Sequence, residues 1–302
     1  MSPHHFRGLA IALALLAGPV LAAPAGAPRP VDTRAFDGVK PVAALPNATR
    51  LAWLDLGDPK GRPTVLIHGY TDNARDWAPV TPFLGQGRRL IVVDLRGHGQ
   101  SSKPECCYTR QDLAYDIKLL LDDLKIEKAD VVGHSLGSIV AQTFAQYWPD
   151  RTRKVVLISS TAGKAAGEAQ GMDFVTPILA LKDPIDPDSA FMHAWWHSPT
   201  PVDPAFMKRQ REDSAKIPAG VWKAVIFQGM LGMDLKSTLP MLKAPTLLIW
   251  GDQDTLMLES DRKGLIAALP AAQVKVYQGL GHNPFWEEPE RVAADIGAFL
   301  EK

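Results

Sequence analysis

Ser135 stands in a pattern that could make its hydroxyl a nucleophile. It is the central residue of the pentapeptide Gly-His-Ser-Leu-Gly at residues 133–137. An apolar run at residues 129–132 precedes the pentapeptide, and a helix-like segment at residues 138–148 follows it. A sharp strand-to-helix turn exposes such a serine, and glycines on both sides let the strand and helix pack closely. The pattern predicts a catalytic serine, although a Gly-rich turn without catalysis fits the same short pattern.

A serine hydroxyl needs a base to take its proton and a third group to orient that base. Downstream, residues 244–250 have the composition of a buried strand and are followed by Asp252 and Asp254. Residues 273–277 alternate like a short strand, and His282 follows in a glycine-containing loop. The chain therefore offers a serine, then an acid, then a histidine, each in a loop after a strand.

Five motifs in this order resemble the α/β-hydrolase superfamily, in its branch of small esterases, lactonases, cofactor-free perhydrolases and carbon–carbon bond hydrolases. The likeness extends from about Leu51 to the C-terminus. It implies an α/β fold with a mostly parallel eight-stranded sheet, flanking helices and an inserted helical cap. The motifs are His-Gly-Tyr at 68–70 with Trp77, Asp-Leu-Arg-Gly-His-Gly-Gln-Ser at 94–101, residues 133–137, Gly-Asp-Gln-Asp at 251–254, and Gly281-His282 followed by Glu288-Pro289.

The resemblance also implies the role of each candidate catalytic residue. Ser135 is the nucleophile, His282 the general base and Asp254 the acid that orients the base. Asp252 is the alternative acid. Similar proteins usually carry the acid three residues after the glycine that ends the strand, here Gly251, which favours Asp254 and leaves Asp252 to cap the turn.

Similar proteins form an oxyanion hole from two backbone amides near the nucleophile. The matching positions here are Leu136, which follows the serine, and Tyr70, which follows the His-Gly pair. His134 is expected to line the substrate pocket rather than to replace His282 as the base. His68 and His98 belong to loop motifs and are expected to serve the structure.

Serine at position 135 excludes relatives that need a carboxylate nucleophile, such as haloalkane dehalogenases and epoxide hydrolases. The implied reaction is hydrolysis of a carboxylic ester or lactone through an acyl-enzyme, with no metal and no organic cofactor. Perhydrolase or haloperoxidase chemistry, carbon–carbon bond cleavage and a non-catalytic ligand-binding role remain as alternatives. A carbon–carbon hydrolase would need a polar or cationic clamp for a substrate carboxylate, for which the cap offers Lys208, Arg209 and Arg211.

Composition agrees with one large globular domain. The chain has 302 residues, of which 46% are hydrophobic, enough for a substantial core. Its 33 basic and 33 acidic residues balance, and no long run of charge predicts a nucleic-acid surface or a polybasic membrane patch. The expected partner is a small-molecule ester or lactone, and the oligomeric state is not predicted.

The N-terminus has the pattern of a secretory signal peptide. Basic residues precede an apolar stretch at residues 9–21, and small residues then fit a cleavage site. An exported protein in the periplasm or outside the cell is therefore expected, with an uncleaved membrane anchor as the alternative. The expected organisation is a signal peptide at 1–22, a flexible segment at 23–44 and an α/β-hydrolase domain at 45–302, with its cap at about 161–242.

Export changes the interpretation of the two adjacent cysteines, Cys106 and Cys107. In an oxidising compartment they could form a vicinal disulfide, and two free or intermolecularly paired thiols are the alternative. They precede a helix-like segment at residues 110–124, beside the active-site entrance of similar proteins.

The cap interrupts the alternation of strands and helices. Its large apolar side chains predict a cap core and an apolar pocket of modest size, with Trp195 and Trp196 as candidate pocket residues. His193 and His197 have metal-ligand spacing on one helical face, but no acidic third ligand is adjacent, which favours solvated or capping roles. The predicted cap helices lie around residues 174–181, 190–196, 204–216 and 221–233.

Overall fold

The computed structural model describes residues 30–163, 172–231 and 234–301, and its centre is an eight-stranded sheet. The strand order is β1-β2-β4-β3-β5-β6-β7-β8. The first two strands in this order run antiparallel to their neighbours and the other six run parallel, which confirms the predicted fold class. The strands are β1 (Val42–Ala44), β2 (Arg50–Gly57), β3 (Arg62–Ile67), β4 (Arg88–Val93), β5 (Ala129–His134), β6 (Thr152–Ile158), β7 (Thr246–Gly251) and β8 (Gln273–Tyr277).

Helices cover the sheet and connect its parallel strands. The helix after β5 is the most deeply buried, since all but its last residue lie in the core. The α-helices within the described ranges are α1 (Thr81–Leu84), α2 (Arg110–Asp123), α3 (Leu136–Tyr147), α4 (Met172–Ala180), α5 (Ala190–Trp195), α6 (Pro204–Ala215), α7 (Ala219–Val225), α8 (Glu259–Ala268), α9 (Pro284–Glu287) and α10 (Pro289–Glu301).

The strand that precedes Ser135 lies in the middle of the sheet. β5 pairs with β3 on one side and β6 on the other, and all six of its residues are buried. The turn into α3 is tight. A Cβ added at Gly133 would lie 2.1 Å from the carbonyl oxygen of Gly137, and one added at Gly137 would lie 2.1 Å from the carbonyl oxygen of Ile67. Only glycine fits at these two positions.

The N-terminal segment differs from the prediction of a flexible chain up to Ala44. From Pro30 the chain packs against the domain: Phe36 is buried, and β1 pairs with β2 at the edge of the sheet. Lys40 Nζ donates to both carboxylate oxygens of Asp94 at 2.7 Å, and both side chains are buried. This buried ion pair and the added strand fix the segment. Asp94 lies 54 residues after Lys40, whereas β2 follows β1 directly in a hairpin. The predicted signal peptide lies outside the described residues.

The cap lies between β6 and β7. It contains α4, α5, α6 and α7, and α7 continues into a π-helical turn at Ile226–Met230. No helix within the described ranges is both long and apolar enough to cross a bilayer. Nearby, Cys106 and Cys107 are joined in a disulfide on the exposed loop before α2. The next residue contacts the cap, since the Tyr108 amide donates to Gln228 Oε1 at 2.9 Å.

Candidate active site

Ser135 occupies the turn between β5 and α3 and has a backbone conformation that side-chain-bearing residues rarely adopt. Its φ is +50° and its ψ is −118°. Such strain persists only where surrounding structure imposes it, and here the close packing of Gly133 and Gly137 does so. The turn brings Ser135 to the wall of a cavity. The local geometry is that of a nucleophile elbow.

His282 lies in the loop after β8 and lines the same cavity as Ser135. Its Nδ1 is 2.9 Å from Asp254 Oδ2 and 3.0 Å from Oδ1. The carboxylate of Asp254 is buried, and its Oδ1 also accepts the amides of Leu256 and Met257. Burial alone would raise the pKa of Asp254, but His282 and these amides outweigh burial and lower it. The acid is therefore held ionised, and it fixes the imidazole with Nδ1 as the donor.

Asp252, the alternative acid, points elsewhere. Its Oδ1 accepts the backbone amide of Gly279 at 2.7 Å. That contact joins the turn after β7 to the turn after β8, and it has the capping character expected for this residue. The structure therefore brings His282 together with Asp254.

Leu136 directly follows Ser135, and Tyr70 lines the cavity that contains Ser135. Leu136 is the first residue of α3, where amides lack helical partners. Tyr70 follows β3 and lines the cavity, and its hydroxyl donates to the Trp222 carbonyl of the cap at 2.6 Å. Tyr70 therefore serves both as a wall of the cavity and as a contact with the cap.

His134 lies behind the candidate base. Its Nε2 is 3.1 Å from the carbonyl oxygen of His282, and Ser159 Oγ donates to the same oxygen at 2.7 Å. A carbonyl only accepts hydrogen bonds, so the proton of His134 resides on Nε2. His134 Nδ1 then faces Asp76 Oδ2 at 3.6 Å and Asp72 Oδ2 at 4.0 Å. His134 thus supports the loop that carries the base and lines the cavity, as expected.

His68 and His98 are buried away from the cavity. His68 Nε2 accepts the amide of Leu95 at 2.9 Å, and His98 Nδ1 contacts the carbonyl oxygen of Arg96 at 2.9 Å. Burial lowers the pKa of both imidazoles, that of His98 to about 4. Both rings are neutral and hold loops in place.

Asp72 and Asp76 are site residues that the sequence did not single out. Asp72 lines the cavity, Asp76 is fully buried, and both oxygens of Asp76 lack a hydrogen-bond partner among the residues that the structure describes. Together with His134 they bring three potential ligand atoms within 4.8 Å, so within the described ranges these residues could hold a cation. Burial, and then the charge of Asp76, raises the pKa of Asp72 well above its usual range. A proton on Asp72 therefore balances part of the charge without a metal.

Asp72→Asn is expected to keep kcat/KM at pH 7 within about threefold of wild type, because asparagine matches the neutral acid in size. The raised folded-state pKa means that folding favours protonated Asp72. Wild type should therefore lose stability relative to the variant as the pH rises above the usual aspartate range. Urea unfolding at pH 5 and pH 9 checks this, with the exposed Asp58→Asn as a control. A wild type that does not weaken relative to Asp72→Asn would mean that Asp72 is ionised in the fold.

The cavity has a volume of about 700 Å³ and lies between the sheet and the cap. Trp195 and Trp196 both line it, as expected, and Trp195 Nε1 donates to Thr71 Oγ1 at 3.0 Å. His197 also lines it, but α5 ends at Trp195, so His197 does not share a helical face with the exposed His193 as the sequence predicted. Within the described residues no lysine or arginine lines the cavity. Lys208, Arg209 and Arg211 instead approach surface carboxylates, among them Glu212, Asp37 and Asp188.

Comparisons with known proteins identify the family to which this fold belongs. The sequence model of a family described as alpha/beta hydrolase fold matches residues 63–289. The chain is 32% identical to the dihydrolipoyllysine-residue acetyltransferase component of an acetoin cleaving system from Pseudomonas putida, over 88% of this chain and 70% of that protein. It is 29% identical to a non-heme chloroperoxidase from Streptomyces lividans, over 84% and 97%. The crystal structure of an esterase from Rhodococcus sp. ECU1013 superposes with a TM-score of 0.76 at 24% identity, over 88% and 99%.

Proposed function

This chain belongs to the α/β-hydrolase family, and from that premise we propose that it is a serine hydrolase of carboxylic esters or lactones. The observation that carries the proposal is the hydrogen bond between the buried Asp254 and His282, which lines the cavity that also contains Ser135. A strained serine and an oriented imidazole in one cavity are the requirements of acyl transfer.

In this mechanism Ser135 Oγ attacks the acyl carbon while His282 Nε2 takes the hydroxyl proton. The amides of Tyr70 and Leu136 donate to the oxyanion of the tetrahedral intermediate. The intermediate collapses, and the alcohol leaves with the proton from His282. Water then attacks the acyl-enzyme with His282 as the base and releases the acid and free Ser135. Asp254 stabilises the imidazolium in both halves of the reaction.

The proposed substrate is neutral and largely apolar. Aromatic side chains of the cap, including Phe191, Trp195 and Trp196, face the cavity, and no cationic side chain lines it within the described ranges. A substrate carboxylate would lose its hydration there without gaining a lysine or arginine partner among the lining residues. This argues against a dienoate substrate for a carbon–carbon hydrolase and favours simple esters or lactones.

The location proposed for the enzyme is the periplasm or the extracellular medium. The basic, apolar and small-residue pattern of residues 1–22 supports export, and the mature chain would start near Ala23. A disulfide between adjacent cysteines is compatible with an oxidising compartment.

Peracid formation is the second candidate, because a relative 29% identical is named a non-heme chloroperoxidase. The same acyl-enzyme would form, and hydrogen peroxide would replace water as the attacking nucleophile. Halide oxidation that requires both peroxide and a carboxylic acid would identify this activity.

We expect the mature protein from Ala23 to hydrolyse p-nitrophenyl esters of short to medium chain length, tested beside simple lactones and Ser135→Ala. Since the cavity is about 700 Å³, kcat/KM should rise with acyl length and then fall once the chain no longer fits. No turnover by the folded protein would contradict the proposal. If Ser135→Ala and wild type then bound an ester or lactone equally well, the protein would be a ligand-binding module rather than an enzyme.

A further inference from the structure

Glu287 lies at the end of α9, five residues after His282, and has no place in the triad. Its side chain is partly buried between the loop that carries the base and the cap. Oε1 accepts the backbone amide of Gly281 at 2.7 Å, and Oε2 accepts the hydroxyl of Thr200. One carboxylate therefore joins the residue before the candidate base to a residue of the cap.

The cap segment that carries Thr200 also packs directly on Gly281. A Cβ added at Gly281 would lie 2.5 Å from Pro199 Cδ, so the ring of this proline covers the backbone there. Pro199 also lines the catalytic cavity. Gly281 is thus held between the cap on one side and Glu287 on the other.

The residue before Glu287 provides an apolar contact with the same part of the cap. The ring of Trp286 stacks on Trp196 with centroids 5.7 Å apart, and Phe206 packs edge-on against it at 5.3 Å. Trp286 Nε1 donates to the carbonyl oxygen of Asp76 at 3.0 Å. Because α9 is anchored to both the domain and the cap, Glu287 has little freedom to make other contacts.

We propose that Glu287 is a positioning residue that couples docking of the cap to the orientation of His282, through the Thr200–Glu287–Gly281 latch. The inference rests on the proposed function of His282. When the cap is docked, Thr200 and Gly281 donate to the two oxygens of one carboxylate, and the backbone before His282 is fixed. When the cap departs, Oε2 loses its donor, and the base loses part of its support.

The charge of Glu287 is consistent with this role. Burial is the largest effect and raises the pKa of Glu287 to about 7, with a smaller contribution from the nearby charge of Asp254. The hydrogen bonds from Thr200 and Gly281 lower this pKa, but by less than burial raises it. Neutral glutamine can imitate its shape, with Oε1 accepting from Gly281 and Nε2 donating to Thr200 Oγ1.

The test compares Glu287→Ala, Glu287→Gln and Thr200→Val with a matched control, Glu288→Gln. Glu288 is the next residue, and its carboxylate pairs with Arg291 at 2.8 Å on the surface. Rates on p-nitrophenyl esters are divided by the concentration of active sites, titrated by the p-nitrophenol burst, so a loss of folded protein does not count as a loss of kcat.

We expect Glu287→Ala to lower kcat about 30-fold and Glu287→Gln to restore it to within about threefold of wild type. Thr200→Val should lower kcat by less, about fivefold, because it removes one of the two donors to the carboxylate, and it should also raise KM for the longest ester about fivefold. Glu288→Gln should match wild type. Equal losses in Glu287→Ala and Glu287→Gln, or none in either, would overturn the proposal.

Hydrogen–deuterium exchange gives a readout that does not depend on activity. Glu287→Ala should speed exchange in peptides covering residues 278–283 and residues 196–203 alike, and Thr200→Val should speed exchange in both peptides to a smaller extent. Unchanged exchange at residues 278–283 in Glu287→Ala would overturn the latch. Faster exchange in a protein whose wild type hydrolyses no ester would uphold the coupling of cap and loop and refute the proposed function alone.

Discussion

Ser135→Ala is expected to lower kcat on the best ester by about 10⁴-fold to 10⁶-fold, a larger loss than any other single substitution should cause. Alanine preserves the elbow, because it keeps a Cβ of the same size, but it removes the oxygen that forms the acyl-enzyme. The oxyanion hole and the cavity would remain, so binding of a product acid should change little. Steady-state kinetics with the p-nitrophenyl ester, together with product binding by calorimetry, check both parts.

Ser237→Ala is the control for this substitution, since Ser237 is an exposed serine remote in sequence from the elbow. It should retain wild-type kcat. If Ser135→Ala kept more than about one per cent of the activity, another nucleophile or a non-covalent route would have to be responsible.

Asp254→Asn is expected to lower kcat about 10³-fold to 10⁴-fold, because an amide can turn its NH₂ toward His282 and stabilise the wrong tautomer. It would also leave the imidazolium without its buried counter-charge. Asp252→Asn provides the matched comparison two residues away, and it should stay within about fivefold of wild type because Asp252 contacts the Gly279 amide.

Measuring kcat of the two variants from pH 5 to pH 9 distinguishes loss of the function of the base from a change in its protonation. Asp254→Asn should be impaired at every pH. The reverse ranking of the two variants would transfer the role of the acid to Asp252 and would require the loop after β7 to rearrange before catalysis.

The central part of the sheet could be predicted from sequence because its signals are local. The apolar run before Ser135 and the glycines around it specify a buried strand and a tight turn without reference to distant residues. The same holds for β8, whose observed bounds, Gln273–Tyr277, are those that the alternation of side chains predicted. Periodicity and turn chemistry therefore sufficed where each element carries its own pattern.

Contacts between distant segments could not be predicted in this way. Asp72 and Asp76 resemble ordinary loop aspartates until the fold places both beside His134. Thr200 and Glu287 are 87 residues apart, and their contact depends on how the cap docks. The N-terminal segment differs from the prediction because one of its anchors, the buried Asp94 that pairs with Lys40, is supplied by another part of the chain. These polar contacts affect stability because they are buried, and burial depends on how the whole chain folds.

The order of the strands has a consequence for how the enzyme would fail. The serine is carried by β5, buried between two neighbours. The histidine follows β8, which within the described residues pairs with β7 alone and exposes four of its five residues. Edge elements of this kind open locally at a lower free-energy cost than the centre of a sheet. Rising temperature or denaturant should therefore separate base from nucleophile while most of the core is intact. The enzyme would therefore lose activity by local opening of the sheet edge at β8 before the whole domain unfolds.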